Sequence, residues 1–455
     1  MNTPRKDKQM SRYLITDPST GEVKREYATD SDEKVAAAVD SADAAYRSWG
    51  RTTTPAERCA LMARVAALFG ERREELAAMM SQEMGKTTED ALGEIDFAAA
   101  IYQYYADNGE AFLADEPIEL MAGDGTAVIR RRPLGVLLGV MPWNFPAYQV
   151  ARFAGPNLVV GNTILLKHAS QCPASAAAYE EIFRAAGYPE GAYVNLYADT
   201  DQVQAVIADP RVQGVSLTGS ERAGMAVAEA AGRNLKKVVL ELGGSDPFIV
   251  MSTDDLDATV ESAVAARLDN HGQSCNAAKR MIVHADLYDE FVARFTEKML
   301  ANGSLLLSSV GAAEGLEAQV AAAVAGGATL ASSGERQGAF YPSGVLTGVT
   351  EANPVYRQEL FGPVAMVFKA ADEAEAVEIA NDIPFGLGSY VFTTDPAQAQ
   401  RIAERIDAGM VYVNGVLADG AELPFGGVKG SGFGRELGKL GIEEFINKKL
   451  VRVIA

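Results

Sequence analysis

The chain has 455 residues, 48% of them hydrophobic, enough for a large buried core and for roughly three domains of ordinary size. Its net charge of −20 argues against a nucleic-acid partner, since no basic stripe stands ready to displace counterions from phosphate; the acidity reads as solubility, and an anionic substrate would need locally placed arginines. The three cysteines, Cys59, Cys172 and Cys275, fit neither a disulfide framework nor a zinc cluster, so no metal site is expected and a reducing cytoplasm is the expected compartment.

The first dozen residues are polar and lack the apolar core of a secretion signal. A turn at Asp17-Pro18-Ser19-Thr20-Gly21 separates two short extended runs. From about residue 31 to 110 the pattern is helical, with Leu61, Val65 and Leu68 at helical spacing and the charged Arg64, Glu71 and Arg72 among and after them; Cys59 reads as a packed thiol there. Strands follow at Ala127-Val128-Ile129 and Val136-Leu137-Leu138. The apolar stretch 158–166 is broken by Gly161 and Asn162 and is too short to cross a bilayer, so no membrane partner is expected. Strands at 163–166, 214–217 and 237–240 alternate with helices at 174–186 and 222–231, which implies right-handed crossovers and a parallel sheet. A second alternation runs from 247 to about 433 and ends in a glycine-rich segment. The final run Leu450-Val451-Arg452-Val453-Ile454 reads as a strand that needs a partner, in-chain or from another subunit.

Four segments carry chemistry. In Gly272-Gln273-Ser274-Cys275-Asn276 the cysteine sits in a polar loop, where a thiolate can attack a carbonyl; an inert buried cysteine is the other reading. In Val238-Val239-Leu240-Glu241-Leu242-Gly243-Gly244 a carboxylate ends an apolar strand. Such surroundings raise its pKa toward neutrality, which suits a general base; a strand-end Glu facing water or paired with Lys236 or Lys237 is equally compatible. Asn144, between Trp143 and Phe145 and flanked by Pro142 and Pro146, is either a rigid donor to an oxyanion or a turn residue bonding its own backbone. In Thr218-Gly219-Ser220-Glu221 a strand passes into a helix whose cap would be Ser220 and whose free N–H groups attract phosphate, although a capped helix without ligand has the same pattern.

Together these segments resemble the aldehyde dehydrogenase superfamily over nearly the whole chain. In order come Pro142-Trp143-Asn144-Phe145-Pro146, Leu166-Lys167-His168-Ala169-Ser170, Thr218-Gly219-Ser220, Glu241-Leu242-Gly243-Gly244, Gly272-Gln273-Ser274-Cys275, Glu359-Leu360-Phe361-Gly362-Pro363 and Pro424-Phe425-Gly426-Gly427. Ser245-Asp246-Pro247 and Ala277-Ala278-Lys279-Arg280 look most like the succinate-semialdehyde branch. The resemblance implies an α/β fold with a Rossmann-variant NAD(P)-binding domain (1–114 and 134–242), an α/β catalytic domain (243–430) and a small β oligomerisation element (115–133 and 446–455). It implies a homodimer or homotetramer. Cys275 would be the nucleophile, Glu241 the base for hydrolytic water, and Asn144 with the Cys275 N–H the oxyanion donors. Lys167 would reach the adenosine ribose; Trp143, Gly219, Ser220 and Leu242 would border the cofactor; Glu359 would bind the nicotinamide ribose and Phe361 would pack beside the ring.

Ser170 stands where many NAD-preferring relatives carry Glu, which implies NADP as cofactor with NAD as the alternative; Ser170 could equally cap the next helix. Arg152 matches a position that binds the far carboxylate of succinate semialdehyde in that branch. A second such arginine is replaced by Asp269, and Arg267 either substitutes for it or makes a surface ion pair. His271 is not expected to form a dyad with Cys275, and with Asn276 and Ala277 following there is no adjacent-cysteine switch. The connection around 301–318 is shortened relative to the family and lies far in sequence from every candidate catalytic residue, so local restructuring with activity retained is expected. A non-redox cysteine esterase would not need Lys167, Ser220 or Glu359, and an inactive structural homologue would not need Cys275 and Glu241.

Overall fold

Strands covered on both faces read as near-continuous apolar runs, and both large sheets are built from such runs. In the computed structural model, which describes residues 13–454, the first sheet has the order Gly432–Phe433, Lys237–Glu241, Val212–Thr218, Val136–Met141, Thr163–His168, Tyr193–Asn195. All neighbours are parallel except the edge pair, where Gly432–Phe433 runs antiparallel to Lys237–Glu241. One face packs Leu138, Leu165, Val215 and Leu240 with Val35, Val203 and Val227. The other packs Leu137, Ile164 and Leu166 with Phe69, Phe153 and Tyr179.

From Val136–Met141 the chain winds outward through Thr163–His168 to Tyr193–Asn195. It then returns to the opposite side of the first strand with Val212–Thr218. The winding direction therefore reverses between Val136–Met141 and Val212–Thr218, and open α/β sheets take ligands in the crevice beyond the carboxyl ends of such a pair.

The second sheet has the order Thr329–Ser332, Gly344–Thr347, Val364–Ala370, Ala278–His284, Asp246–Val250, Tyr390–Phe392, Tyr412–Val413, parallel throughout except at the first pair. The terminal strand, Ile446–Val453, finds its partner in-chain: it runs antiparallel to Thr126–Pro133, with Leu450 opposite Ile129, and Glu116–Ile118 flanks the far side. Leu450 and Val453 remain 61% and 56% exposed. The helical region resolves into Asp32–Ala45, Pro55–Glu71, Arg73–Met84 and Thr88–Phe112, and Cys59 is buried among them. Among the described residues no helix is long and apolar enough to cross a membrane. The polar start, residues 1–12, lies outside the described residues.

The connection around residues 301–318 folds as a strand, Ser304–Leu306, antiparallel to Phe340–Pro342, followed by the helix Val310–Ala325 capped by Ser309.

Candidate active site

Three turns leave the carboxyl ends of neighbouring strands in the first sheet. They carry Trp143 and Asn144, then Gly219 and Ser220, then Leu242 and Gly243. With Cys275, Glu359 and Phe361 from the second half of the chain they line one cavity of about 300 Å³. A second cavity of about 430 Å³ is lined by Tyr148, Arg152, Asp269, Asp419 and Phe425. Cys275 and Gln149 line both, so the thiol stands where the two cavities meet.

The loop that presents Cys275 is over-determined. Asn270, His271 and Gly272 are left-handed in succession (φ 48°, 59° and 78°), a costly conformation for the first two that persists only when surroundings enforce it. Asn270 Nδ2 donates to Asn144 O at 2.9 Å, and Gln273 Oε1 accepts from Ser308 N–H at 2.9 Å. His271 Nδ1 lies 2.8 Å from Leu306 O, which engages that ring nitrogen outside any dyad with the thiol. The 301–318 segment is therefore a direct support of the Cys275 loop. Distance in sequence was a poor guide to its place.

Asn144 does not bond its own turn. Its Nδ2 donates to Gln273 O at 3.0 Å and its Oδ1 accepts from Gln149 Nε2 at 3.0 Å. An amide nitrogen has two protons, so one remains for a ligand. Burial pushes the Cys275 thiol up to about 12, with Arg152 and then Lys279 pulling it down. Glu241 is 2% exposed, and neither carboxylate oxygen has a hydrogen-bond partner. Burial first and then the neighbouring Glu436 hold its carboxyl well above the ordinary range. The water-facing and lysine-paired alternatives fall away: Lys236 Nζ donates to Asp209 O, and Lys237 Nζ pairs with Glu444 at 3.1 Å.

The cofactor-side residues fit a dinucleotide. Ser220 caps the helix Glu221–Arg233, accepting from Ala223 N–H at 3.4 Å, and the first turn of that helix opens beside the cavity. Thr218 Oγ1 is buried without a partner. Trp143 and Phe361 meet edge to face, centroids 5.9 Å apart. A Cβ at Gly243 would come within 2.5 Å of Glu359 Oε2, so the carboxylate sits close over the backbone only because glycine is there. Lys167 and Ser170 do not line this cavity; they lie at and just beyond the carboxyl end of the neighbouring strand Thr163–His168. Ser170 does not cap the next helix, whose first N–H groups, Ala174 and Ser175, donate to Glu83.

Comparison with known proteins decides the family. The family model described as "Aldehyde dehydrogenase family" matches residues 5–451. The chain belongs to the aldehyde dehydrogenase family. A succinate-semialdehyde dehydrogenase [NADP(+)] from Deinococcus radiodurans is 51% identical over 464 aligned positions, covering 99% of this chain and 97% of that one. One of the same description from Mycobacterium avium is 46% identical, covering 95% of each. The crystal structure of succinic semialdehyde dehydrogenase from Streptococcus pyogenes in complex with NADP+ superposes with a TM-score of 0.94 at 39% identity, covering 97% of this chain and 100% of that one. The fold is thus the aldehyde dehydrogenase fold.

Within this aldehyde dehydrogenase the two candidate substrate arginines part company. Arg152 lies on the wholly buried helix Tyr148–Val160 and is 1% exposed. Its Nε is 2.7 Å from Glu436 Oε2, and its guanidinium is held between the rings of Tyr148 (4.5 Å) and Phe425 (4.3 Å). Its Nη2 has no hydrogen-bond partner. Glu436 was not singled out from the sequence. The signal for it is the arginine itself, the one charged residue of its helix, which demands a counterion.

Arg267 corrects the sequence expectation. It is fully buried, so it makes no surface ion pair, and it lines neither cavity. Nη1 donates to Ala278 O at 3.0 Å, while Nη2 donates to Gly272 O at 2.8 Å, Gly362 O at 2.6 Å and Leu360 O at 3.3 Å. A guanidinium engaged by four carbonyls is a strut between the Cys275 loop and the Glu359–Phe361 segment.

Proposed function

We propose that this enzyme oxidises succinate semialdehyde to succinate through a thioester on Cys275, with NADP as cofactor and NAD as the alternative. The observation that carries the substrate is Arg152. Among the described residues it is the one cation lining the second cavity, whose other charged lining groups are Glu89, Asp90, Glu94, Asp269 and Asp419. Glu94 is already engaged by Lys86 and by the N–H groups of Ala147 and Tyr148. A substrate carboxylate would find its favourable contact at the Arg152 guanidinium, held in one orientation by Glu436 and the two rings. The relatives described as succinate-semialdehyde dehydrogenases support the same choice.

In this reading Cys275 gives up its thiol proton to solvent water and its sulfur forms a bond to the aldehyde carbon, while the oxygen that gains charge accepts from the free Asn144 Nδ2 proton and the Cys275 N–H. Lys167 and Ser170 would hold the adenosine ribose, Trp143, Gly219, Ser220 and Leu242 would border the dinucleotide, and Glu359 and Phe361 would fix its reactive end. NADP, when bound there, supplies the acceptor for the hydride that leaves the aldehyde carbon. Glu241, after losing the proton that burial keeps on it, takes one from water, whose oxygen adds to the thioester carbon as the Cys275 sulfur departs. The cofactor unit at 1–114 and 134–242, the catalytic unit at 243–430, an oligomerisation element at 115–133 and 446–455, a homodimer or homotetramer and a cytoplasmic location belong to this reading. The three unpaired cysteines and the exposed apolar side chains of Ile446–Val453 support it.

The test is a comparison of kcat/KM for succinate semialdehyde and butanal, with NADP and with NAD, followed by nicotinamide absorbance. Succinate semialdehyde with NADP should be the best pair; equal or better use of butanal overturns the substrate.

A further inference from the structure

Lys279 has no part in the chemistry above, yet it is a wholly buried cation beneath the nucleophile. It is the second residue of the strand Ala278–His284, and its side chain is 0% exposed. An ammonium group has three donors. Two go to the carbonyls of Ser274 and Cys275, each at 2.7 Å, and the third faces Glu359 Oε1 at 3.2 Å. Glu359 Oε1 also accepts from Gly244 N–H at 3.2 Å, and a Cβ at Gly244 would stand 2.6 Å from Cys275 O. The peptide on either side of the reactive residue and the carboxylate across the cavity are thus fastened to one atom.

We propose that Lys279 is a positioning residue for the oxidation: its ammonium locks the Cys275 loop to Glu359, so that thiol and cofactor-binding carboxylate keep one register. The inference rests on the roles given above to Cys275 and Glu359. A methionine could fill the space but would leave two carbonyls and a carboxylate without their donor. Arginine keeps the charge. The charged groups facing the thiol are Arg152, Lys279, Glu359 and Asp246, with Glu241 lining the same cavity, and those facing Lys279 are Glu359, Asp246, Arg267 and Cys275 itself. Of these, Arg152 and Lys279 favour the thiolate and the carboxylates oppose it.

The test uses the full-length enzyme and reads alkylation of Cys275 by iodoacetamide across pH, quantified by mass on the Cys275 peptide, together with KM for NADP. K279M should move the alkylation profile up by about one pH unit, so that reaction at pH 8 slows roughly tenfold, and should raise KM for NADP. K279R should recover part of both. A wild-type profile and KM in K279M overturn the proposal, as does a K279R enzyme no better than K279M, which would mark a loss of shape alone. If K279M does not fold, K279Q decides: it keeps length and part of the donor set without the charge, so the profile should again move to higher pH and KM for NADP should rise, and a wild-type profile and KM in K279Q overturn the proposal. Retention of aldehyde oxidation by C275S would instead sink the reading of the site, independently of how Lys279 behaves.

Discussion

Arg152 and Arg267 are both fully buried, both near Cys275, and both were candidates for the same carboxylate. Their partners separate them. Arg267 gives its terminal nitrogens to four backbone carbonyls and lines neither of the two cavities that meet at Cys275. Arg152 keeps one terminal nitrogen free, is braced by Glu436 and two rings, and lines a cavity. Both keep a buried Nε without a hydrogen-bond partner; a cation whose two terminal nitrogens are both taken by backbone carbonyls holds structure together, whereas one with a terminal nitrogen unengaged and its side chain on a cavity wall is poised for a ligand. The carboxylates divide in the same way: Glu436 is anchored to Arg152, while both oxygens of Glu241 are free and face the thiol's cavity.

The largest effect should come from the free carboxylate. Glu241→Gln should still accumulate thioester but release acid roughly 10³-fold more slowly, as expected for loss of a general base, in a single-turnover quench experiment. The sign with pH follows from the raised carboxyl: the working form is the deprotonated one, so acid release in the wild type should climb as pH rises, and the variant should lose that dependence. A steep climb that survives in the variant would place the base elsewhere. Next comes the strut. Arg267→Met should cost about 3 kcal/mol in urea unfolding, since buried carbonyls lose a charged donor, and folded enzyme should keep its ratio of succinate semialdehyde to butanal turnover. Arg152→Ala should do the reverse, lowering that kcat/KM ratio roughly 100-fold through loss of a charge-assisted hydrogen-bond pair. If Arg267→Met changes the ratio and Arg152→Ala does not, the distinction between strut and binder is inverted. The smallest change should be at Ser170, where Ser170→Glu should shift preference from NADP toward NAD by about tenfold, the repulsion expected of one partly solvated carboxylate near a phosphate.

Much of this site is readable in one dimension because its motifs sit at strand ends, where a glycine, a cap or a proline marks the turn. Trp143–Asn144, Gly219–Ser220 and Glu241–Gly243 follow three neighbouring strands, and parallel alternation alone brings their carboxyl ends to one edge. The missed pieces depend on convergence from afar. Nothing in the residues around Arg267 announces that the carbonyls of Gly272, Leu360, Gly362 and Ala278 meet at its guanidinium. Glu436 lies in a glycine-rich tail with no hydrophobic period to orient it. The antiparallel edge strand Gly432–Phe433 is two residues long, too short for any pattern, yet it lies against Leu240–Glu241 and helps to close in the carboxylate.

The tether from Leu306 and Ser308 to the Cys275 loop implies an order of failure on heating. Those residues belong to or adjoin a three-residue ribbon whose partner is equally short, a piece of structure that frays at lower cost than the sheet interiors. Once it loosens, the left-handed run at Asn270 and His271 loses two of its restraints and can relax. Catalytic inactivation should therefore set in several degrees before far-ultraviolet circular dichroism reports loss of the sheets and helices, and the gap between the two midpoints measures how much rigidity the sulfur borrows from that ribbon.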